Sequence, residues 1–280
     1  MLNYRLMQGL CASLPARWCE ALAVWAADRR YHGAPDDRAA VRANMALALE
    51  PRGPVSEEMV HEVFRNFGRY LYEFFSAHQA QHLWVALHHP ERVQHAANAG
   101  RGVIILSAHV GNWELGGIVL GRLGYAMSAV ALPHVQGGID RLFNAQRRRC
   151  GVQVIPLGPR AARTAMKHLR QGGLLAVLGD REFGDNGLQA RLFRQPVIVP
   201  RGPALLSVRT GAPIVPSFLL REGFRRFRFL FDEALWPSPT APARAEVERL
   251  ALASTQAIER VIRHAPAQWL MMQPVAVTRP

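Results

Sequence analysis

The chain has 280 residues, 49% of them hydrophobic, and a formal net charge of +13. That length and apolar content support a large folded body and exclude a disordered, collagen-like or solenoid chain. The surplus of positive charge favours an anionic membrane surface or nucleic acid. No paired zinc ligands, RNA-binding aromatic strand or basic region with heptads accompanies that charge, so a membrane partner is expected and nucleic acid is not.

Residues 1–27 are apolar and aromatic, but Arg5, Arg17 and Glu20 interrupt them, so neither a spanning helix nor a signal peptide is expected there. Two readings stay open: an interfacial helix pair with Trp18 and Trp25 at headgroup depth, or an amphipathic helix capping the domain. Residues 36–49 read as a helix after Pro35, broken by the Pro-Arg-Gly-Pro run at 51–54. Ser56 is a natural N-cap for a helix over 56–79, where Val60, Val63, Phe64, Phe67, Tyr70, Leu71, Phe74 and Phe75 repeat at helical spacing. Core packing is the expectation for that aromatic face, with a lipid-facing groove as the other reading. The histidines His78, His82, His88, His89 and His95 lack carboxylates at ligand spacing and read as solvated, so no metal site is expected. Cys11, Cys19 and Cys150 fit neither a disulfide framework nor a zinc site, which implies a reducing, cytosolic setting.

From residue 102 short apolar runs alternate with helical segments. Strands are predicted at 102–106, 126–132, 152–156, 174–179, 212–220 and 227–231, with helices near 113–123, 138–149, 160–171, 203–210 and 243–263. The fold class is therefore α/β, a largely parallel central sheet flanked by helices, with an N-terminal helical region. No Pro/Gly/Ser linker separates residues 1–95 from the α/β body at 96–280, so one structural unit is expected.

The chemistry concentrates in Ser107-Ala-His-Val-Gly-Asn-Trp-Glu-Leu-Gly-Gly117. His109 lies just beyond a buried strand, Glu114 falls in the first turn of the next helix, Gly111 permits a sharp turn, and Asn112 is a plausible N-cap. In α/β proteins ligands bind where strands end and helices begin. The pattern suits abstraction of a hydroxyl proton by His109, with Glu114 fixing its tautomer and backbone N–H groups near Asn112 receiving an oxyanion. No Gly-x-Ser-x-Gly elbow exists, so a serine nucleophile is not expected.

His109-Val-Gly-Asn-Trp-Glu114 resembles the His-x4-Asp/Glu motif of glycerolipid and lipid A acyltransferases. It is most similar to the His-x-Gly-Asn-Trp-Asp/Glu form of the bacterial lauroyl/myristoyl lipid A and phosphatidylinositol mannoside acyltransferases. The segments at 143–158, 179–216 and 268–274 resemble later blocks of the same group, in order. Asp180-Arg181-Glu182 stands where lipid A members usually have Asp-Gln-Asp, which is closer to the mannoside enzymes. The resemblance implies a glycerolipid acyltransferase-like fold and an acyl group moved from an acyl carrier protein or coenzyme A thioester to a lipid hydroxyl. It also implies the cytoplasmic face of a bacterial inner membrane, with no cofactor beyond the acyl donor.

Further site residues follow on physical grounds. Arg147 suits bidentate pairing with a substrate anion, or is a surface arginine beside Arg148 and Arg149. Asp180 should line the same cleft edge as His109, or cap locally and pair with Arg181. Arg181 and Arg201 are candidate headgroup contacts, although the prolines around Arg201 suit a turn equally well. Two rivals remain: a thioester hydrolase in which His109 activates water, and a non-catalytic lipid-binding protein.

Overall fold

The computed structural model describes residues 14–50, 53–77, 83–133, 137–182, 184 and 186–275. Three helices lead: α1 (Ala16–Gly33), α2 (Pro35–Leu49) and α3 (Glu57–Phe75). Ser56 caps α3, its hydroxyl accepting the Met59 N–H at 3.2 Å. Val60, Val63, Phe64, Phe74 and Phe75 are buried, so the aromatic face of α3 is core; residues 78–79 of the predicted helix lie outside the described residues, as do Arg5, Cys11, His78 and His82. α1 crosses α3 at Gly68, where an added Cβ would lie 2.6 Å from the Ala23 carbonyl oxygen. Such closeness needs small residues inside, and α1 buries Cys19, Ala23 and Ala27. Its large side chains therefore face outward, leaving Trp18 71% and Trp25 56% exposed.

The body continues as β1 (Trp84–His88), α4 (Pro90–Asn98), β2 (Val103–Ser107), α5 (Trp113–Arg122), β3 (Met127–Ala131), α6 (Gly137–Arg149), β4 (Gln153–Pro156), α7 (Ala161–Arg170) and β5 (Leu174–Leu178). A hairpin of β6 (Leu188–Leu192) and β7 (Gln195–Val199) follows, then α8 (Gly202–Thr210), β8 (Ile214–Gly223), β9 (Arg226–Phe231) and α9 (Ala243–His264). The main sheet has seven strands in the order β1-β9-β8-β2-β5-β3-β4. β8, β2, β5, β3 and β4 run parallel; β9 is antiparallel to β8, and β1 is parallel to β9.

Two apolar layers sandwich this sheet. One joins Leu106, Ile214 and Phe218 to α7, α8, α9 and the hairpin; the other joins Ile105, Val215 and Phe229 to α4, α5, α6 and the end of α3. Every residue of β2 is buried, as expected of a strand covered on both faces.

Two departures from expectation have local causes. β1 lies inside the stretch read as helical, and α4 crosses the boundary at 95; β1 is a five-residue edge strand whose sequence lacks a clean alternation. The β6–β7 hairpin turns on Phe193 (φ 52°) and Arg194 (φ 67°), both left-handed. Two-residue turns of that kind are normally announced by Asn-Gly, and here no such signal exists.

Candidate active site

Register brings the site together. In the parallel pair β2–β5, Ser107 lies opposite Leu178. Two residues farther along each chain stand His109 and Asp180, side by side beyond the carboxyl ends of adjacent strands. The Asp180 Oδ1 is 2.9 Å from His109 Nδ1, and its Oδ2 accepts the His109 main-chain N–H at 2.9 Å. The Trp269 indole N–H donates to the same Oδ2 at 3.1 Å. The Asp180 side chain is fully buried, whereas that of His109 keeps 21% of its surface exposed. Burial by itself would raise the Asp180 carboxyl, but the imidazole, that main-chain N–H and the indole outweigh it and hold the group below the ordinary aspartate range.

The carboxylate on the imidazole is thus Asp180, and not Glu114 as the spacing suggested. Glu114 points to the other side of α5, where Arg147 Nε donates to both of its oxygens at 3.1 and 3.0 Å and a second guanidinium nitrogen also reaches Oε1. Residues five apart at a helix start need not share a face, and here the turn at Gly111 separates them. The same geometry answers the expectation for Arg147: its guanidinium is buried against Glu114 and also donates to Asn144 at 2.8 Å. Burial disfavours its charge, and Glu114 more than restores it, raising the guanidinium above its ordinary value.

Each remaining residue of the motif has a packing task. Gly111 sits at φ 63°, and a Cβ there would meet the Leu219 carbonyl oxygen at 2.1 Å, so its freedom serves a close approach to β8. Asn112 caps α5 by accepting the Leu115 N–H at 3.0 Å. Trp113 meets the His109 ring edge-on at 5.0 Å and stacks on Tyr70 at 4.3 Å. The N–H groups of Gly111 and Asn112, expected to face the opening, are already taken by the carbonyls of Gln268 and Leu219, each at 2.9 Å.

Three outside segments clamp this loop. Val110 forms an antiparallel bridge with Trp269, and the Leu270 N–H donates to the His109 carbonyl at 2.6 Å. The Gln268 side chain binds both main-chain groups of Arg221, at 2.8 and 2.9 Å. From α3, Glu73 accepts from Asn112 Nδ2 and from Arg221 Nε, each at 2.9 Å, and the other end of Arg221 reaches Glu20 of α1. Burial pushes the Glu73 carboxyl up to about 7, against the pull of those two donors. Sequence reading gave Trp269 and Glu73 no role; the Gln268-Trp269 pair was visible as a motif without a partner. Arg181 is half-buried beside Asp180, and Arg201 is exposed just ahead of α8.

A histidine and a carboxylate pair across neighbouring strand ends of an open α/β sheet, the edge at which ligands bind in proteins of that architecture. The sequence profile of the bacterial lipid A biosynthesis acyltransferases matches residues 4–275, and the chain belongs to that family and is an acyltransferase. It is 26% identical to a phosphatidylinositol mannoside acyltransferase of Mycobacterium tuberculosis (strain CDC 1551 / Oshkosh), over 87% of this chain and 77% of the relative. A protein of the same description from Mycolicibacterium smegmatis is 26% identical over 91% of this chain and 85% of its own length. The lipid A biosynthesis palmitoleoyltransferase of Escherichia coli K12 is 26% identical over 80% and 73%.

Proposed function

We propose that this acyltransferase moves a fatty acyl group from an acyl carrier protein or coenzyme A thioester to a hydroxyl of a membrane glycolipid or lysolipid, with His109 as general base. The observation that carries the reading is the Asp180 contact on His109 Nδ1. With Nδ1–H donating to the carboxylate, Nε2 is the nitrogen left to accept a proton. The acceptor hydroxyl gives its proton to Nε2 as its oxygen bonds to the thioester carbon. The carbon–sulfur bond then breaks, and the proton passes from the imidazolium to the departing thiolate. Asp180 stays ionised and stabilises the imidazolium.

No bound cofactor is required, because the thioester supplies the activated acyl group. Arg181 and Arg201 offer cations for the phosphates of donor or acceptor. The names of the relatives favour a phosphatidylinositol mannoside or a lipid A precursor as the acceptor class. Among the described residues no helix is long and apolar enough to cross a membrane. The outward Trp18, Leu22 and Trp25, with Arg29 over the Trp25 ring at 5.3 Å, suit a helix lying at the cytoplasmic face of an inner membrane.

The test supplies purified protein with radiolabelled acyl donor and a bacterial lipid extract. Label should appear on a glycolipid or phospholipid, and His109→Ala should abolish it. Free fatty acid released equally with and without lipid would replace this reading with a thioester hydrolase.

A further inference from the structure

The sequence clusters four arginines at Arg221, Arg225, Arg226 and Arg228, and the fold puts them to three uses. Arg221 turns inward to Glu73 and Glu20, and Arg228 pairs with Glu222. Arg225 and Arg226 instead lie over aromatic rings. The Arg225 guanidinium is 5.7 Å from the centroid of Phe224, and Arg17 of α1 covers the same ring at 5.1 Å. Arg226 lies 5.3 Å from the ring of Trp84, which is 55% exposed.

These groups share one end of the molecule. β8 runs parallel to β2, so the β8–β9 turn at Phe224–Arg225 lies at the end of the sheet that carries His109. β1 is parallel to β9 and so opposed to β2, which brings its first residue, Trp84, to that same end, opposite Arg226. Arg17 ties the turn to α1, next to the outward Trp18.

Arg17, Arg225 and Arg226 have no carboxylate partner among the described residues. An aromatic ring under a guanidinium is suited to the boundary of a bilayer, with the ring at the acyl edge and the cation among phosphates. A second copy of the chain is a poor occupant, because a two-fold interface through this face would set arginines against arginines.

We propose that the β8–β9 turn and Trp84 form a second lipid contact beside α1, seating the chain on an anionic bilayer with the carboxyl ends of β2 and β5 toward the headgroups. The inference rests on the membrane-surface reading above and adds the β8–β9 turn and Trp84, which lie outside residues 1–27.

Co-sedimentation with phosphatidylcholine vesicles, with and without phosphatidylglycerol, tests it. Arg225→Gln/Arg226→Gln should weaken binding to the phosphatidylglycerol vesicles by about five-fold for each charge removed, a difference that shrinks at high salt. Trp84→Ser/Phe224→Ser should weaken binding several-fold at high salt as well. Circular dichroism and the melting temperature confirm that each variant is folded. Trp18→Ser/Trp25→Ser serves as the α1 arm. If that arm loses binding while both turn variants bind as the unaltered protein does, this inference falls and the membrane reading stands. If the unaltered protein ignores both vesicles, both fall. If the turn variants change only the oligomeric state in size-exclusion chromatography, the face is an interface between copies and the inference is overturned.

Discussion

The two sides of the α5 N-terminus carry two buried pairs of very different kind. On the β5 side a carboxylate holds an imidazole whose side chain stays partly exposed; on the α6 side a carboxylate is consumed by a guanidinium with almost no surface left. A histidine can take and return a proton, whereas an arginine stays charged throughout. Two carboxylates of the same region, Asp180 and Glu114, are therefore divided by their partners into one that, in the proposed mechanism, supports proton transfer and one that fixes a helix in place.

That contrast breaks most visibly at His109. His109→Ala should lower turnover by about 10²–10⁴-fold with the fold intact, and retention of a tenth of the activity would remove it from the chemistry. Asp180→Asn should lose most of the same activity, because the imidazole loses the acceptor that fixes its tautomer. Asp180, held below its ordinary value, adds stability that is present above about pH 4 and fades as the pH falls through its depressed value, so the variant should lack that acid-side loss.

Across α5 the expected damage is to folding. Glu114→Ala leaves a buried guanidinium unpaired and should cost about 3–5 kcal/mol of stability, read as a lower midpoint in urea. Activity per folded molecule should survive. Glu114→Leu combined with Arg147→Met should recover much of the loss; a double variant no more stable than the single would give this pair a role beyond packing.

Smaller effects sharpen the boundary. Trp269→Phe removes one donor from Asp180 and keeps the ring, so it should lower kcat by about ten-fold, corresponding to roughly 1.4 kcal/mol, and leave KM for the acyl donor near its original value. An unchanged kcat would make the indole a packing group alone. Glu73 is tested through pH instead. Its carboxyl titrates near 7 in the fold and near 4.5 in the unfolded chain, so the folded state holds the proton longer. Stability should decline as pH rises between those values and then level off, and Glu73→Gln should flatten that decline.

Much of this architecture was legible in the residues. The six predicted strands from 102 onward all exist, and Asp180 and His109 could each be placed at a strand end. What the sequence did not carry was adjacency: nothing in residues 174–179 says that this strand lies beside β2, 71 residues earlier in chain position for the paired side chains. Local spacing favoured Glu114 because it was near, and tertiary pairing overrode it. Trp269 and Glu73 were hidden for the same reason, since their partners are Asp180 and Asn112. The Arg221–Arg228 run shows the converse case, where one cluster of like charges is divided by the fold into an inward group, a paired group and groups set over aromatic rings.

The clamp over the His109 loop carries a consequence for how the protein comes into being. The sheet and the histidine are encoded well before the segment that closes on them, since Gln268, Trp269 and Leu270 supply bonds to Arg221, Asp180 and the His109 carbonyl. Contacts that link residue 109 to residue 270 are among the slow ones to form, because the loop between them must first be ordered. A nascent chain that has already built β2 and β5 still lacks the strap that sets its imidazole. On the proposed mechanism catalytic competence should therefore arrive late in synthesis, and a protease cut just ahead of Gln268 is expected to leave a largely folded body with an unset histidine.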